Sequence, residues 1–292
     1  MAKIDKRLED AAKKAENKRV ALARRREYFV SFAKCHLEFL ANLLAWYKRN
    51  GYVPNYPVFN LPALYRDKRD KEIAAIAASL LEQDADYDEL HTLLGDRPWE
   101  WFIKRNFVLL GLGTEQQKKT SGCQNWRISV LMDCFFKSVN ASKADNIGDA
   151  VLADAWKFGL PIEKTLFRYY KKADAELSNV RLLMLAMSDH DIIGHGLWNI
   201  KEPLRCPITE DVERFVRMWV PDVRSYGTID DCVEMFGFDA GDFLLSYFAY
   251  FELGATMPND FKNYANCTAR WYRDGRLREP YEWRRRTPKI PE

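Results

Sequence analysis

Histidine is scarce in this chain, and its cysteines form no metal-binding pattern. The 292 residues include four histidines and six cysteines. No two cysteines stand in a CxxC pair, which argues against a zinc knuckle, an iron–sulfur loop or a disulfide scaffold. Reduced thiols in a cytoplasm are the simplest interpretation. The cysteines are Cys35, Cys123, Cys134, Cys206, Cys232 and Cys267.

Long apolar runs are also absent. No run reaches the roughly 18 residues that a membrane span needs. The start of the sequence is charged, without the apolar stretch of a secretion signal. We therefore expect a cytoplasmic protein with no membrane partner. A chain of this length is also expected to bury about 75% of the surface that it exposes when unfolded.

The sequence lacks sustained two-residue alternation and internal repeats, so an all-α fold is expected. Apolar residues three and four apart predict a long amphipathic helix over 27–47 that stops at Asn50-Gly51. Residues 55–62 suggest an extended linker, and Asp67 suggests the N-cap of a helix that runs to Leu81. Further helices are predicted over 86–94, 97–111, 124–139, 146–158, 161–171, 175–187, 209–219, 228–236 and 240–253.

Charge is segregated along the chain, although the net charge is only +3. Residues 1–27 and 262–292 are each +5, whereas residues 28–261 hold 26 basic and 33 acidic side chains, a net −7. We divide the chain accordingly into an N-terminal basic and amphipathic helical region (1–57), a helical domain (58–261) and a basic aromatic tail (262–292). Basic ends on an acidic body suit contact with a phosphate backbone, although a charged first segment is equally typical of a solvated helix.

The tail interleaves aromatic residues with arginines, a pattern in which rings stack on bases while guanidinium groups meet phosphates. The alternative is that these side chains anchor the tail to its own domain. Lys118 and Lys119, in a polar loop, are further candidates for DNA contact. The candidate DNA-binding residues of the tail are Arg270, Arg273, Arg284, Arg285 and Arg286.

The densest polar cluster is Ser188-Asp189-His190-Asp191-Ile192-Ile193-Gly194-His195. A histidine with a pKa near neutrality suits acid/base chemistry or pyrophosphate binding. A histidine near the C-terminus of a helix, stabilised by the helix dipole, is the structural alternative. A divalent metal is the third interpretation, but the cluster supplies few ligands, and we assign neither a metal nor a cofactor.

Three tracts of the sequence stand out together: the run from Tyr65 to Leu80, which contains YRD and EIAAIAAS, then Gly196-Leu197-Trp198, and then Pro207 to Val212. In this order they resemble a family of helix-hairpin-helix DNA glycosylase relatives. Together they fall within residues 58–253. The resemblance implies two helical lobes around a cleft that receives a flipped base. It also places the catalytic aspartate of the glycosylases at the position where this chain has Thr209.

A threonine hydroxyl cannot supply the charge of that aspartate. Either Glu210 or Asp211 replaces it through a shift in register, or Thr209 is simply an N-cap followed by acidic residues in the first helical turn. A DNA glycosylase or lyase and a non-catalytic DNA-binding protein are therefore both alternatives for this chain.

The same residues resemble the bacteriophage α-glutamyl/putrescinyl thymine pyrophosphorylases, or amino acid:DNA transferases. That family implies an enzyme that flips 5-(pyrophosphoryloxymethyl)uracil out of double-stranded DNA and replaces pyrophosphate with an amine, in the cytoplasm of the infected bacterium. The amine is an amino acid or a polyamine. Such a reaction needs base extrusion and a proton acceptor, but not the glycosylase aspartate.

We assign hypothetical roles to the site residues. Asp191 and His195 act as base or orienter for the amine, with His190 as the alternate, and Glu210 and Asp211 line the same pocket. Arg66, Lys104 and Arg105 are candidates for pyrophosphate or backbone phosphates, although Arg66 and Asp67 also suit a buried structural ion pair. Thr209 and Trp198 complete the predicted substrate-binding residues.

Overall fold

The computed structural model describes residues 13, 16, 38–83, 85–112, 122–219, 230, 233 and 237–256. Every regular element within these ranges is helical, which confirms the all-α class for this part of the chain. No described helix is long and apolar enough to cross a membrane. The first part of the helix predicted over 27–47 and most of the helix predicted over 228–236 lie outside the described residues.

The helices follow one another with short connections. They are α1 (38–49), α2 (Pro57–Asn60), α3 (Lys68–Ala78), α4 (Asp88–Leu94), α5 (Pro98–Ile103), α6 (Gly122–Ser142), α7 (Ile147–Phe158), α8 (Ile162–Lys172), α9 (Leu177–Met187), α10 (Glu210–Trp219) and α11 (Ala240–Thr256). Two 3₁₀ helices, Leu61–Leu64 and Asn106–Leu112, lie between them.

Helix α3 is central to the core. Asp67 caps it as predicted, because its carboxylate accepts a hydrogen bond from the Arg69 backbone N–H at 2.9 Å. Every residue from Glu72 to Ala78 is buried, and the run of alanines lets α2, α5 and α9 pack closely around the helix. The helix ends at Ala78 rather than at Leu81. Ser79 follows as the C-cap, with its hydroxyl 2.6 Å from that of Tyr170.

Two predictions about the segments before and after α3 are wrong. Residues 55–62 are not an extended linker, because α2 and the first 3₁₀ helix occupy most of this stretch and bury Val58 and Phe59. A proline at the start of a helix needs no hydrogen-bond partner for its nitrogen, so Pro57 begins a helix instead of excluding one. The helix predicted over 97–111 is broken at Arg105, whose φ of 59° is left-handed.

Helix α1 and helix α11 belong to the same apolar core as the rest of the described chain. Leu40 and Leu43 of α1 are fully buried, as are Phe243 and Leu244 of α11. This packing brings the C-terminal end of α1 and the N-terminal end of α11 to the segment that follows α9. The candidate site lies where these three pieces meet.

Candidate functional site

The segment after α9 folds back tightly on the end of that helix. The His195 and Leu197 backbone N–H groups bond to the carbonyls of Ala186 and Met187, and the Gly196 N–H bonds to Ser188. A Cβ on Gly194 would lie 2.4 Å from the Ser188 carbonyl oxygen, so this position requires glycine. The backbone amides of the Gly194-His195-Gly196 turn are therefore engaged within the chain, and they do not present themselves to a phosphate.

This fold-back places His190 in a cluster of charged side chains from three elements. Its Nε2 lies 3.3 Å from Asp242 Oδ1 and 3.6 Å from Asp239 Oδ1, and its Nδ1 lies 3.3 Å from Asp191 Oδ1. The ammonium of Lys48, on α1, bridges Asp242 at 2.8 Å and Asp191 at 3.2 Å. These five residues form what we call the His190 cluster.

The ring of His190 is held in one orientation. Its side chain is 8% exposed, and it packs so closely on Gly241 that a Cβ there would lie 2.3 Å from the ring Cδ2. The backbone N–H of Ile192 points to Nδ1 at 3.3 Å. A neutral ring consequently carries its proton on Nε2 and donates it to Asp242.

Lys48 and the aspartates stabilise each other's charges. Burial lowers the pKa of Lys48, but hydrogen bonds to Asp242 and Asp191 outweigh that effect and leave the pKa above its ordinary value. Burial raises the pKa of Asp191, but Lys48 outweighs it and leaves that pKa below its ordinary value. With three aspartates around one lysine, the cluster retains negative charge when His190 is neutral.

A cavity of about 740 Å³ opens beside His190. Its charged lining residues are Asp189, Arg205, Asp230 and Asp239, and the His190 ring lies beside them. Leu204, Cys206, Val233 and Phe238 are among the apolar lining residues. Burial raises the pKa of the Cys206 thiol, which keeps it protonated and makes it a wall of the cavity rather than a nucleophile.

A buried arginine fixes the far wall of this cavity. Arg181, whose side chain is 3% exposed, forms two hydrogen bonds of 2.8 Å to Asp230 and a third of 3.0 Å to the Cys206 carbonyl. It also pairs with Glu163 at 3.2 Å. Because Arg181 is inaccessible, it positions Asp230 and the 199–206 loop without meeting a ligand itself.

His190, Asp239 and Asp242 offer ligand atoms within 4.8 Å of one another, a spacing compatible with a metal ion. The Lys48 ammonium already provides a positive charge to Asp242, however, and it would repel a cation bound there. We therefore interpret the group as an ion-pair network.

His195 lies apart from the His190 cluster. Its Nε2 is 3.0 Å from the backbone oxygen of Phe59, to which it donates when neutral. Burial lowers the pKa of His195, so the neutral form is favoured in the fold. This contact ties the fold-back segment to α2.

Trp198, predicted to bind substrate, is instead buried against Glu72 and is not among the residues that line the cavity beside His190. The Glu72 carboxylate is fully buried and accepts hydrogen bonds from the Trp198 indole at 2.8 Å and from the backbone N–H groups of Ile147 and Gly148. The last two belong to the first turn of α7, where a carboxylate offsets the helix dipole. Burial raises the pKa of Glu72, while these hydrogen bonds oppose that rise.

Thr209 caps α10, as the structural interpretation predicted. Its hydroxyl oxygen accepts a hydrogen bond from the Val212 N–H at 3.2 Å. Glu210 is 78% exposed and pairs with Arg214 one turn later. Neither residue lines the cavity beside His190, and the side chain of Asp211 lies outside the described residues.

The three predicted phosphate-binding residues are exposed, and none of them lines the cavity beside His190. Arg66 is exposed, and Asp67 contacts Arg69 instead of Arg66, so a buried Arg66–Asp67 pair is wrong. Lys104 pairs with Glu100, and the Arg105 guanidinium lies 5.3 Å from the Phe136 ring. The remaining DNA-binding candidates lie outside the described residues: Lys118, Lys119, Arg270, Arg273, Arg284, Arg285 and Arg286.

Of the predicted catalytic residues, the structure brings together His190 and Asp191. It adds Lys48, Asp239 and Asp242, which sequence reasoning missed because they are far away in the chain: 143 residues separate Lys48 from Asp191. Asp239 had one local signal, since it stands directly before the predicted helix over 240–253. It does cap that helix, accepting the Asp242 N–H at 2.7 Å.

A scan against protein-family models and searches of curated proteins and of solved structures give no match to this chain.

Proposed function

We propose that this protein is a DNA-modifying transferase that acts on 5-(pyrophosphoryloxymethyl)uracil. In this proposal the two-lobed helix-hairpin-helix glycosylase arrangement extrudes the base from double-stranded DNA, and an amino acid or polyamine replaces its pyrophosphate. The single observation that carries the proposal is the acidic cavity with the His190 cluster in its wall.

The charge of the cavity suits an amine. Primary amines and polyamines are cations at neutral pH, and Asp189, Asp230 and Asp239 face the cavity against one lining cation, Arg205. Arg181 offsets the charge of Asp230 but leaves those of Asp189 and Asp239. The same charge disfavours pyrophosphate inside the cavity, so the leaving group belongs at the rim, where Arg205 is 58% exposed.

The reaction requires the amine to lose a proton. The amine nitrogen forms a bond to the exocyclic methylene carbon as the carbon–oxygen bond breaks, and pyrophosphate leaves with the bonding electron pair. The cationic amine loses one proton before attack, because its nitrogen otherwise has no lone pair, and a second proton once the carbon–nitrogen bond has formed. His190, through Nδ1, or an adjacent carboxylate accepts each proton in turn and passes it to solvent. Asp242 and Asp191, 3.3 Å from the two ring nitrogens, stabilise the resulting imidazolium.

The residues at the position of the glycosylases' catalytic aspartate also favour a transferase over an enzyme that cleaves the glycosidic bond. Thr209 has no charge and uses its hydroxyl as a helix cap, while Glu210 is turned to solvent and to Arg214. A displacement at the exocyclic methylene leaves the glycosidic bond intact and needs no carboxylate there.

Amine binding by the full chain tests this proposal. Titration calorimetry with putrescine, spermidine and glutamate should detect one of these ligands, and Asp239→Asn should weaken its binding about fivefold, the effect of about 1 kcal/mol from one partly exposed charge. Asparagine is as good an N-cap as aspartate, so α11 is preserved. Asp145→Asn, at an exposed carboxylate that does not line the cavity, is the matched control. Equal weakening by both variants would refute binding in this cavity.

A further inference from the structure

Trp156 is one of the most solvent-exposed aromatic side chains that the structure describes. It lies near the C-terminal end of α7 and is 89% exposed. Leu152 and Phe158, at 37% and 44%, extend the apolar surface around it. This indole is not buried in the described core, and with Leu152 and Phe158 it forms a contiguous exposed apolar surface of the kind that binding partners use.

Cations surround this surface. The Arg168 guanidinium lies 4.2 Å from the centre of the Phe158 ring, and the Lys157 ammonium lies 5.7 Å from it. Lys164 is one turn before Arg168, and Lys201 lines the same shallow depression as Trp156. We call Leu152, Trp156, Lys157, Phe158, Lys164, Arg168 and Lys201 the Trp156 surface.

Three carboxylates near the Trp156 surface form hydrogen bonds or ion pairs with other parts of the fold. Glu202 accepts the Ile162 N–H at the start of α8, Glu163 pairs with Arg181, and Asp154 accepts from the hydroxyls of Ser138 and Tyr169. Within the described ranges, no carboxylate lies within 4.0 Å of the four cations of the Trp156 surface. Their positive charge is therefore available to an anionic partner.

We infer that the Trp156 surface binds DNA, with the Trp156 indole stacked on a base and the surrounding cations on phosphates. An exposed aromatic ring among cations that form no ion pair within the described residues has the chemistry of a stacking platform for nucleic acid. A second copy of this chain is disfavoured, because a twofold interface would place the same four cations against one another. This inference deepens the proposed function by naming its DNA-contact surface.

One loop connects this surface to the acidic cavity. Asn199, Lys201 and Glu202 border the Trp156 surface, whereas Leu204, Arg205 and Cys206 line the cavity beside His190. The loop is fixed at both places, by Glu202 on α8 and by Arg181 on the Cys206 carbonyl. DNA held at Trp156 therefore lies one loop away from the cavity that would receive the amine.

Fluorescence anisotropy with a short labelled DNA duplex tests the surface on the full chain. Trp156→Ala should weaken binding about fivefold or more, the range for loss of one stacked base. Lys157→Gln and Arg168→Gln should each lower the slope of log affinity against log salt by about one. Phe251→Ala, which removes a 46% exposed aromatic from α11, is the matched control and should leave the affinity unchanged.

The outcomes separate the two proposals. Wild-type protein that binds no duplex at low salt would overturn both. Duplex binding that Trp156→Ala and the two cation variants leave unchanged would overturn the Trp156 surface alone and leave the amine cavity standing. Sedimentation showing a dimer that Trp156→Ala dissociates, with DNA affinity unaltered, would assign the surface to a second copy instead.

Discussion

The Trp198 indole donates a hydrogen bond to the fully buried carboxylate of Glu72, 126 residues earlier in the chain. The two residues belong to the two tracts that carry the family resemblance, EIAAIAAS and GLW. Gly148, in the first turn of α7, packs directly against both side chains, since a Cβ there would lie 2.6 Å from the indole and 3.2 Å from the carboxylate. The tracts therefore meet in a structural joint between α3, α7 and the fold-back segment.

This joint predicts a stability defect for Glu72→Gln. The variant amide keeps one acceptor oxygen but places an NH₂ group against a buried N–H donor, which should cost about 1–3 kcal/mol in the free energy of unfolding. Denaturant unfolding measures it, with the exposed Glu89→Gln as control. A cost no larger than that of the control would contradict the assigned hydrogen bonds.

The buried His195 predicts an acid-sensitive contribution to stability. Its folded pKa is lowered by burial from the ordinary 6.5, so the unfolded chain binds the proton more readily. The contribution is complete above about pH 6.5 and is lost as the pH falls toward the folded pKa. Unfolding free energies measured across this window should fall less steeply for His195→Gln than for wild type. Parallel profiles would show that His195 is not held neutral.

The contact between Gly241 and His190 predicts a coupled pair of substitutions. Gly241→Ala places a methyl group against the imidazole ring and should destabilise the protein by about 1–3 kcal/mol. In a His190→Ala background the obstacle is gone, and the same change should be neutral or slightly stabilising, because alanine is the better helix former. A double-mutant cycle measures the coupling. Equal costs in both backgrounds would mean that the ring is not seated on Gly241.

Two arginines at the cavity predict contrasting effects. Arg181→Lys loses the bidentate contact to Asp230 and leaves buried acceptors without donors, so we expect a loss of about 3–5 kcal/mol. Arg205→Lys, at an exposed residue 3.8 Å from the same carboxylate, should cost less than about 1 kcal/mol. Thermal or denaturant unfolding distinguishes them. Similar losses of unfolding free energy for the two variants would contradict the buried hydrogen-bond network of Arg181.

Local features of the fold were predictable where one residue determines a helix end. Asp67 caps α3, and Gly159, with a φ of 61°, ends α7 at Phe158, where the helix predicted over 146–158 also ends. The stretch over 55–62 was not predictable from its prolines, because Pro57 suits the start of a helix as well as an extended segment. Whether that stretch is helical depends on burial of Val58 and Phe59 in the core.

The site was predictable only in part, for a related reason. His190 and Asp191 stand out because they are adjacent polar residues in a short cluster. Lys48 and Asp242 come from helices 142 and 52 residues away from His190, and no spacing rule relates positions that meet only through tertiary packing. Trp156 left no sequence signal at all, since an aromatic residue on a helix is usually part of the core.

The most direct test of the transferase proposal is mass spectrometry of nucleosides from duplex DNA that carries 5-(pyrophosphoryloxymethyl)uracil. The DNA is incubated with the full chain and a mixture of amino acids and polyamines. The proposal predicts a nucleoside that has gained one amine and lost pyrophosphate, with its glycosidic bond intact, and no such product from His190→Ala. Free base with an abasic site, or DNA that is bound and left unmodified, would contradict it.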